Sequence, residues 1–166
     1  MDKHAYLILA HTNLSQLRCL LSLLDDERND IFIHIDRKAP FDYSSVEGCC
    51  TASHLECINP RIRVTWGGVS IIRVEMALLE AAVRTPHSYY HIISGLDLPI
   101  KPQDYIHDFF SRNAGKEFLD LWEMKSHTLN RVQYYTLFPE GSHFFLTNWL
   151  NHAFKALLRL LHIRMN

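Results

Sequence analysis

The sequence predicts an α/β fold with a mostly parallel sheet and helices on both faces. Short apolar runs of strand length alternate with segments whose apolar residues recur at helical spacing, and no internal repeat or low-complexity tract interrupts this alternation. The chain has 166 residues, 48% of them hydrophobic, which is enough to bury one sizeable core. We therefore expect a single domain over residues 1–166, or a portion of one.

The first two predicted strands are separated by a helix. Residues 5–10, AYLILA, form a continuous apolar run of strand length. The leucines at positions 14, 17, 20, 21 and 24 then fall at helical spacing, and Asn13 stands where an N-cap would be. After a charged turn, DDERND, residues 31–36, IFIHID, predict the second strand because they are apolar and β-branched.

The third predicted strand follows a long loop. The loop runs from Arg37 to about Pro60 with little periodicity, and residues 61–66, RIRVTW, then read as a short strand. Gly67 and Gly68 break the chain after it. A helix is predicted over residues 69–84, because its apolar residues keep helical spacing and Thr85-Pro86 follows.

The next segments predict two further strands with a helix between them. Residues 89–93, YYHII, indicate a fourth strand, and residues 103–112 indicate a helix that opens near Pro102. Residues 117–122, EFLDLW, indicate a fifth strand. Strands and helices that alternate at this spacing are typical of a parallel sheet.

The tail of the chain predicts an amphipathic helix over residues 148–163, NWLNHAFKALLRLLHI. Its basic side carries Lys155, Arg159 and Arg164. Such a helix suits peripheral contact with a membrane surface and also suits packing within a domain, and the sequence favours packing.

Composition excludes several classes of function. A net charge of -1, from 17 basic and 18 acidic residues, leaves no basic footprint for nucleic acid. The N-terminus has only six apolar residues before His11, too few for a signal peptide or a transmembrane segment, so a cytoplasmic or peripheral membrane location is expected. The four cysteines contain no Cys-x-x-Cys pair, so a metal or disulfide site is not indicated.

Polar and glycine residues gather at the predicted strand ends. His11 follows the first strand, Asp36 ends the second, Trp66 with Gly67 and Gly68 follows the third, and Asp97 follows the fourth. Ligands bind at the carboxyl ends of strands in open α/β sheets. These residues should therefore lie along one edge and form a binding site.

Each of these residues also has a purely structural interpretation. Asp36 suits hydrogen bonds from ribose hydroxyls or a base N–H, and equally suits a cap or a salt bridge to its basic neighbours. The Trp66-Gly67-Gly68 segment permits close approach of a ligand, or forms a plain turn with a core tryptophan. Asp97 fits an Asx-type turn stiffened by Pro99.

Four segments together resemble the core-2/I-branching glycosyltransferase family, which includes β-1,6-N-acetylglucosaminyltransferases and related peptide O-xylosyltransferases. The similarity covers roughly residues 4–122. Its segments are AYLILAH (5–11), IFIHIDRK (31–38), VTWGGVSIIRVEMALL (64–79) and YYHIISGLDLPIKP (89–102).

The resemblance implies a GT-A fold that binds a UDP-sugar donor, UDP-GlcNAc or UDP-xylose, and inverts the anomeric carbon on transfer to a glycan or peptide hydroxyl. It also implies catalysis without a metal or other cofactor, because Gly95-Leu96-Asp97 carries one carboxylate where most GT-A enzymes carry Asp-x-Asp.

The same resemblance implies roles for single residues. His11 and Asp36 would face the uridine, Trp66, Gly67 and Gly68 would line the donor pocket, and Asp97 would bind sugar hydroxyls. Lys116 and Glu117 would lie on the acceptor side.

The sequence departs from the family pattern downstream. The family's catalytic base is a Glu in a Pro-Asp-Glu-like segment, and neither Glu123 nor Glu140 has that context. We therefore expect this chain to be a truncated, N-terminal donor-binding portion whose base lies beyond Asn166. Two alternatives stay open at this point: a non-catalytic nucleotide- or carbohydrate-binding module, and an unrelated doubly wound signalling domain.

Overall fold

A computed structural model gives the fold and describes residues 3–118, 133–138 and 145–163. The chain divides into two compact units, Met1–Gly115 and Lys116–Asn166. The first unit contains the sheet and three helices, and the second contains a long helix. A single domain over residues 1–166 stays a prediction.

The sheet of the first unit has four parallel strands in the order β3-β2-β1-β4. The strands are β1 (His4–Ala10), β2 (Asn29–Ile35), β3 (His54–Cys57) and β4 (Tyr89–Ser94). Ala10 pairs with Ile35, and Leu9 pairs with Ser94, so the carboxyl ends of β1, β2 and β4 align. The predicted α/β fold with a parallel sheet is confirmed.

Helices cover both faces of this sheet, as predicted. The helices of the first unit are α1 (Leu14–Leu24), α2 (Val69–Ala82) and α3 (Gln103–Arg112). A further helix, α4 (Phe145–Leu160), belongs to the second unit. Asn13 is the N-cap of α1, with φ at 53°, and its side-chain oxygen accepts the N–H of Gln16 at 3.3 Å. A cap of this kind satisfies a backbone donor that the first turn leaves unpaired.

Alternate residues of β1 point into two separate cores. Tyr6, Ile8 and Ala10 pack with the leucines of α1, whereas Ala5 and Leu7 pack against α2. Burial on both faces explains why β1 and β2 read as continuous apolar runs, since a strand covered on both sides has no polar face.

The predicted third strand is wrong. The strand that pairs with β2 is His54–Cys57, and residues 61–65 have no regular structure. β3 is short and only partly buried, which is typical of an edge strand and leaves little apolar signal. Residues 61–65 also bind β2, but mainly through side-chain acceptors, as described below.

Two other predictions meet the limits of the described residues. Glu117 and Phe118 have no regular structure, and the remainder of the predicted fifth strand, residues 119–122, lies outside the described residues. The helix predicted over 148–163 is present, but it begins at Phe145 and ends at Leu160.

A cluster of three histidines joins α3 to the amino end of the sheet. His4 on β1 and His91 on β4 approach each other with 3.2 Å between Nδ1 and Nε2, and the ring of His107 on α3 lies 4.2 Å from that of His4. His107 Nε2 donates to Asn29 Oδ1 at 3.0 Å. Asn29 in turn donates to Leu24 O and to the side chain of Gln103. This buried network fixes α3 against β1 and β2.

The histidines of this cluster are neutral at ordinary pH. Burial, with the repulsion of His107 and His91, lowers the pKa of His4 to about 3. Burial and the charge of His107 lower the pKa of His91 to about 4. Burial and nearby Arg28 lower the pKa of His107, against the opposing effect of acidic neighbours. Protonation of any of these rings therefore opposes folding.

We expect the chain to lose stability as pH falls below about 6.5. Because the folded-state pKa values lie below the ordinary value of 6.5, the unfolded chain binds more protons in the window from about 6.5 down to about 4. Each such histidine lowers the free energy of unfolding by up to about 1.4 kcal/mol per pH unit. Denaturant titrations between pH 7 and 4.5 would measure the slope.

The matched variant is His91→Gln, which cannot titrate and retains hydrogen-bonding groups. Its slope should be shallower than that of the parent chain over the same pH range. Equal slopes would show that His91 is protonated in the folded state and would contradict the prediction.

Candidate functional site

A cavity of about 410 Å³ opens at the carboxyl ends of β1, β2 and β4, in the first unit. Its walls come from these strand ends, from the segment before α2 and from the first turns of α2. The lining residues are Leu9, Ala10, His11, His34, Asp36, Lys38, Val64, Trp66, Ile71, Glu75, Ile92, Ile93, Ser94 and Asp97. A cavity at this edge of a parallel sheet is where ligands bind in α/β folds.

Four of the predicted donor-site residues line this one cavity: His11, Asp36, Trp66 and Asp97. Gly67 and Gly68 are not among the lining residues and connect Trp66 to α2. The predicted acceptor-side residues, Lys116 and Glu117, belong to the second unit and are exposed. Donor and acceptor roles for these residues stay predictions.

Asp36 is buried at the end of β2 and has structural partners of its own. Its Oδ1 accepts the N–H of Lys38 at 2.8 Å and the N–H of Val64 at 3.3 Å. Its Oδ2 lies 3.8 Å from Lys38 Nζ. Asp36 therefore acts as a cap and a salt-bridge partner while it also borders the cavity, so both interpretations of this residue have structural support.

His34, two residues earlier on β2, supports the same segment. Its Nε2 accepts the N–H of Ile62 at 2.8 Å, which requires a neutral ring with the proton on Nδ1. Burial lowers the pKa of His34 and keeps the ring in this state. Ile62 O also accepts the N–H of Arg37 at 3.0 Å. Residues 61–65 are thus held beside the end of β2 by hydrogen bonds to both its side chains and its main chain.

Arg61 closes the loop that follows β2. Its guanidinium donates to Ile35 O at 3.1 Å, Asp36 O at 2.6 Å and Phe41 O at 2.9 Å. Three carbonyl oxygens bound by one side chain leave this loop little freedom. The wall of the cavity formed by β2 is therefore held in place before any ligand binds.

Trp66 stands at the mouth of the cavity and is 80% exposed. The alternative of a core tryptophan is wrong. Gly67 has a φ of 72°, and no atom lies within 4 Å of where a Cβ would be. A glycine is therefore favoured here by the left-handed backbone conformation of the turn and not by lack of space. Thr65 N–H donates to Ser70 Oγ at 2.8 Å, which ties this turn to the first turn of α2.

The Ser94-Gly95-Leu96-Asp97 turn presents a carboxylate at the opposite wall. Asp97 Oδ2 accepts the N–H of Ser94 at 2.8 Å, so the carboxylate bonds a nearby backbone N–H as expected, but three residues back and not two residues on as in an Asx turn. Gln16 on α1 also donates to Leu96 O. Asp97 remains exposed beside the cavity.

Gly95 is needed because the turn crosses the end of β1 at close range. Its N–H donates to Leu9 O at 2.8 Å. A Cβ at Gly95 would lie 2.9 Å from the Cβ and 3.1 Å from the Cα of Ala10, closer than side chains tolerate. The glycine therefore permits the turn to sit directly on β1.

The charged groups of the cavity are unevenly distributed. Asp36, Glu75 and Asp97 contribute three carboxylates, and Lys38 contributes the one lysine or arginine among the lining residues. Within the described parts of the chain, no three His, Cys, Asp or Glu side chains are grouped so as to hold a metal ion. The polar lining is therefore suited to hydroxyl and N–H donors on a ligand.

Sequence reasoning missed the lining residues Ile71, Glu75 and Ser94. Ile71 and Glu75 are one turn apart on α2, so they share a face, and that spacing was a usable signal. Nothing in the sequence showed that this face of α2 borders the cavity. Ser94 ends β4 and could have been grouped with the other strand-end residues.

A family model described as Core-2/I-Branching enzyme matches residues 4–155, which is most of the chain. The chain belongs to the Core-2/I-Branching enzyme family. This membership confirms the resemblance seen in the sequence, and it removes the alternative of an unrelated signalling domain.

Curated proteins that resemble this chain include xylosyltransferases. The chain is 27% identical to xylosyltransferase 2 of Rattus norvegicus over 120 residues, which is 69% of this chain and 14% of that protein. It is 26% identical to xylosyltransferase 2 of Homo sapiens over 120 residues, which is again 69% of this chain and 14% of that protein. It is also 26% identical to xylosyltransferase oxt of Drosophila melanogaster over 64% of this chain and 12% of that protein. The chain thus spans less than one sixth of the length of these curated relatives.

No helix among the residues that the structure describes has both the length and the apolar character needed to cross a bilayer.

We expect Gly95→Ala to destabilise the first unit by roughly 1–3 kcal/mol, the usual cost of forcing an extra methyl into a packed site. The new Cβ would overlap Ala10, and the turn that carries Asp97 would move away from β1. Thermal or denaturant unfolding would measure the loss.

Ala10→Gly offers a matched second-site test of this contact. In the double variant the Cβ of residue 10 is absent, so part of the lost stability should return despite the added glycine. A double variant less stable than the sum of the two single changes would show that the close contact with Ala10 is not the cause.

Asp36→Ala should lower the free energy of unfolding by about 1–3 kcal/mol, because it removes a buried carboxylate that accepts the partly buried N–H groups of Lys38 and Val64. Asp36→Asn retains an acceptor oxygen and should cost less. Asp97→Ala, at an exposed turn, should cost less than Asp36→Ala. Equal losses for the three variants in chemical denaturation would contradict a structural role specific to Asp36.

Proposed function

We propose that this chain forms the donor-binding part of an inverting, metal-independent glycosyltransferase that transfers a sugar from UDP-GlcNAc or UDP-xylose to a glycan or peptide hydroxyl. The observation that carries the proposal is that four residues chosen by family resemblance border one cavity at the carboxyl edge of the sheet. Membership of the Core-2/I-Branching enzyme family supports the reaction class.

The cavity suits the uridine end of the donor. Its volume of about 410 Å³ lies in the range of small-molecule sites. In the proposed complex the carboxylate of Asp36 accepts a hydrogen bond from a ribose hydroxyl or the uracil N–H, as acidic residues at strand ends do in nucleotide-binding folds. Trp66 offers an exposed aromatic face at the mouth, where a base or ribose can pack.

The diphosphate is a poor match for the deep part of this cavity. Three carboxylates line it against one lysine, and a diphosphate placed among them would be repelled. The diphosphate therefore lies toward the start of α2, where Gly68 caps the helix without a side-chain bond and backbone N–H groups favour anions. Further neutralisation of the leaving diphosphate must come from groups outside the cavity.

Asp97 is placed to bind hydroxyl groups of the donor sugar. Its carboxylate is exposed at the cavity wall, and the bond from Ser94 N–H to one oxygen orients it. A single oriented carboxylate supplies too few ligands to hold a metal ion firmly, but it accepts hydrogen bonds from hydroxyl groups well. This donor set supports catalysis without a metal, in which protein groups alone position the donor.

Inverting transfer also needs a base that removes the proton of the acceptor hydroxyl as the diphosphate leaves from the opposite face. We assign that role to no residue of this chain. Lys116 and Glu117 stay proposed acceptor-side residues, and the chain's own contribution is to bind and orient the donor.

Calorimetry of the purified chain with UDP in excess EDTA tests the proposal. UDP should bind without added metal, UMP should bind within about tenfold of UDP because the cavity recognises the nucleoside, and ADP should bind more weakly than either. Binding lost in EDTA and restored by manganese would contradict metal independence. A folded chain that binds no uridine nucleotide would overturn the assignment of the cavity.

Two tryptophan variants localise the binding. Trp66→Ala should weaken UDP binding by roughly 1–3 kcal/mol, the range for loss of a base–aromatic contact, with little change in melting temperature because the side chain is exposed. Trp149→Ala removes another exposed tryptophan, remote in sequence and outside the cavity lining, and should leave UDP affinity unchanged. Equal effects would place the nucleotide elsewhere.

A further inference from the structure

The helix α4 exposes an apolar stripe, which consists of Phe145, Leu146, Trp149, Leu157 and Leu160. Phe145 is 89% exposed and Trp149 is 58% exposed. The small residues Ala153 and Ala156 fall between them on the same side and are also exposed. At 100° per residue these seven positions cover one continuous third of the helix surface, with no polar residue among them.

The other side of α4 makes the contacts within its own unit. Asn151 is buried, and its side chain accepts the N–H of Phe138 at 3.0 Å and donates to Phe138 O at 3.1 Å. Leu158 is buried on the same side. This pair of bonds sets the rotation of the helix, so the apolar stripe is not the face that packs on the described residues of this unit. Leu150 and Phe154 are half-buried on that inward side too, so α4 is apolar on both sides and only one of them is covered by the described residues.

All charges on this part of the chain are positive. Residues 145–163 contain Lys155 and Arg159 and no Asp or Glu. At helical spacing, Arg159 and His152 lie beside Phe145 along one edge of the apolar stripe. The guanidinium of Arg159 lies 5.2 Å from the ring centre of Tyr134, which holds this charge near the edge.

We propose that the apolar stripe of α4 docks on an anionic lipid surface. An amphipathic helix that lies in a membrane interface combines Trp, Phe and Leu on one face with Lys and Arg beside them. The absence of acidic side chains removes repulsion from lipid phosphates, and each basic residue near an anionic surface adds attraction. Trp149 suits the boundary between head groups and acyl chains because its ring is amphipathic.

The charge pattern favours lipid over a second copy of the chain. Two copies that met through this face would bring only basic groups from residues 145–163 to the interface, because this segment contains no Asp or Glu that could pair with them. Like charges would then oppose association, whereas an anionic surface would attract them. The inference rests on α4 alone and is independent of nucleotide binding.

Flotation of the full chain with vesicles tests this inference. We expect the chain to bind vesicles of equal parts phosphatidylcholine and phosphatidylglycerol at least about tenfold more strongly than phosphatidylcholine vesicles, and to lose most of this preference at high salt. Trp149→Glu and Leu157→Glu should each weaken binding at least about tenfold, because a charge would enter the acyl boundary.

Asn148→Glu is the matched control, because it makes the same charge change at the neighbouring position, which lies off the apolar stripe. It should weaken binding less than Trp149→Glu does, and circular dichroism should show the three variants equally helical. Three results would overturn the proposal: no vesicle binding by the folded chain, equal effects of Trp149→Glu and Asn148→Glu, or a self-association abolished by Trp149→Glu in a chain that ignores vesicles. The last result would assign the apolar stripe to a second copy.

Discussion

Two side-chain acceptors at the end of β2 hold one wall of the cavity together. The ring of His34 and the carboxylate of Asp36 accept the N–H groups of Ile62 and Val64, which have no strand beside them to bond with. N–H groups that are partly buried and left unpaired cost stability, so these bonds direct the path of the chain from β3 to α2. That path places Trp66 at the mouth and Ile71 and Glu75 along the side. The geometry of the site is therefore coupled to the neutral state of His34 and to the acceptor oxygen of Asp36.

The parts of the fold that the sequence predicted are those in which local pattern and burial agree. β1, β2 and β4 were found because they carry apolar runs or β-branched residues, and α1 and α2 because their apolar residues recur at helical spacing. The prediction of α3 depended on Pro102, which precedes its first residue. β3 was missed because a four-residue edge strand carries too few buried side chains to show a pattern. RIRVTW was predicted to be a strand because it is rich in β-branched and aromatic residues. In the structure its N–H groups bond to the imidazole of His34 and the carboxylate of Asp36, where a strand would bond to the backbone of its neighbour. No local rule distinguishes those two kinds of partner.

The site was partly predictable for a topological reason. In a parallel sheet all strands point the same way, so residues that follow different strands meet at one edge, and His11, Asp36 and Asp97 did so. The dual character of Asp36 could not be read from the sequence, since capping and ligand binding require the same carboxylate. The outward apolar face of α4 was also hidden, because periodicity identifies an apolar side without showing whether it is buried. The burial of Asn151 and Leu158, with the bonds between Asn151 and Phe138, shows which side faces inward.

The strand order has a consequence for how the chain is made. β1 lies between β2 and β4, and His4 pairs with Asn29 on one side and with Tyr89 on the other. During synthesis on a ribosome, β1, α1 and β2 can assemble early, but the second edge of β1 has no partner until β4 emerges. An unpaired edge is prone to join other chains, and pairing between distant segments is slow. Protection by chaperones during that interval should therefore matter more for this unit than for a helical bundle of equal length.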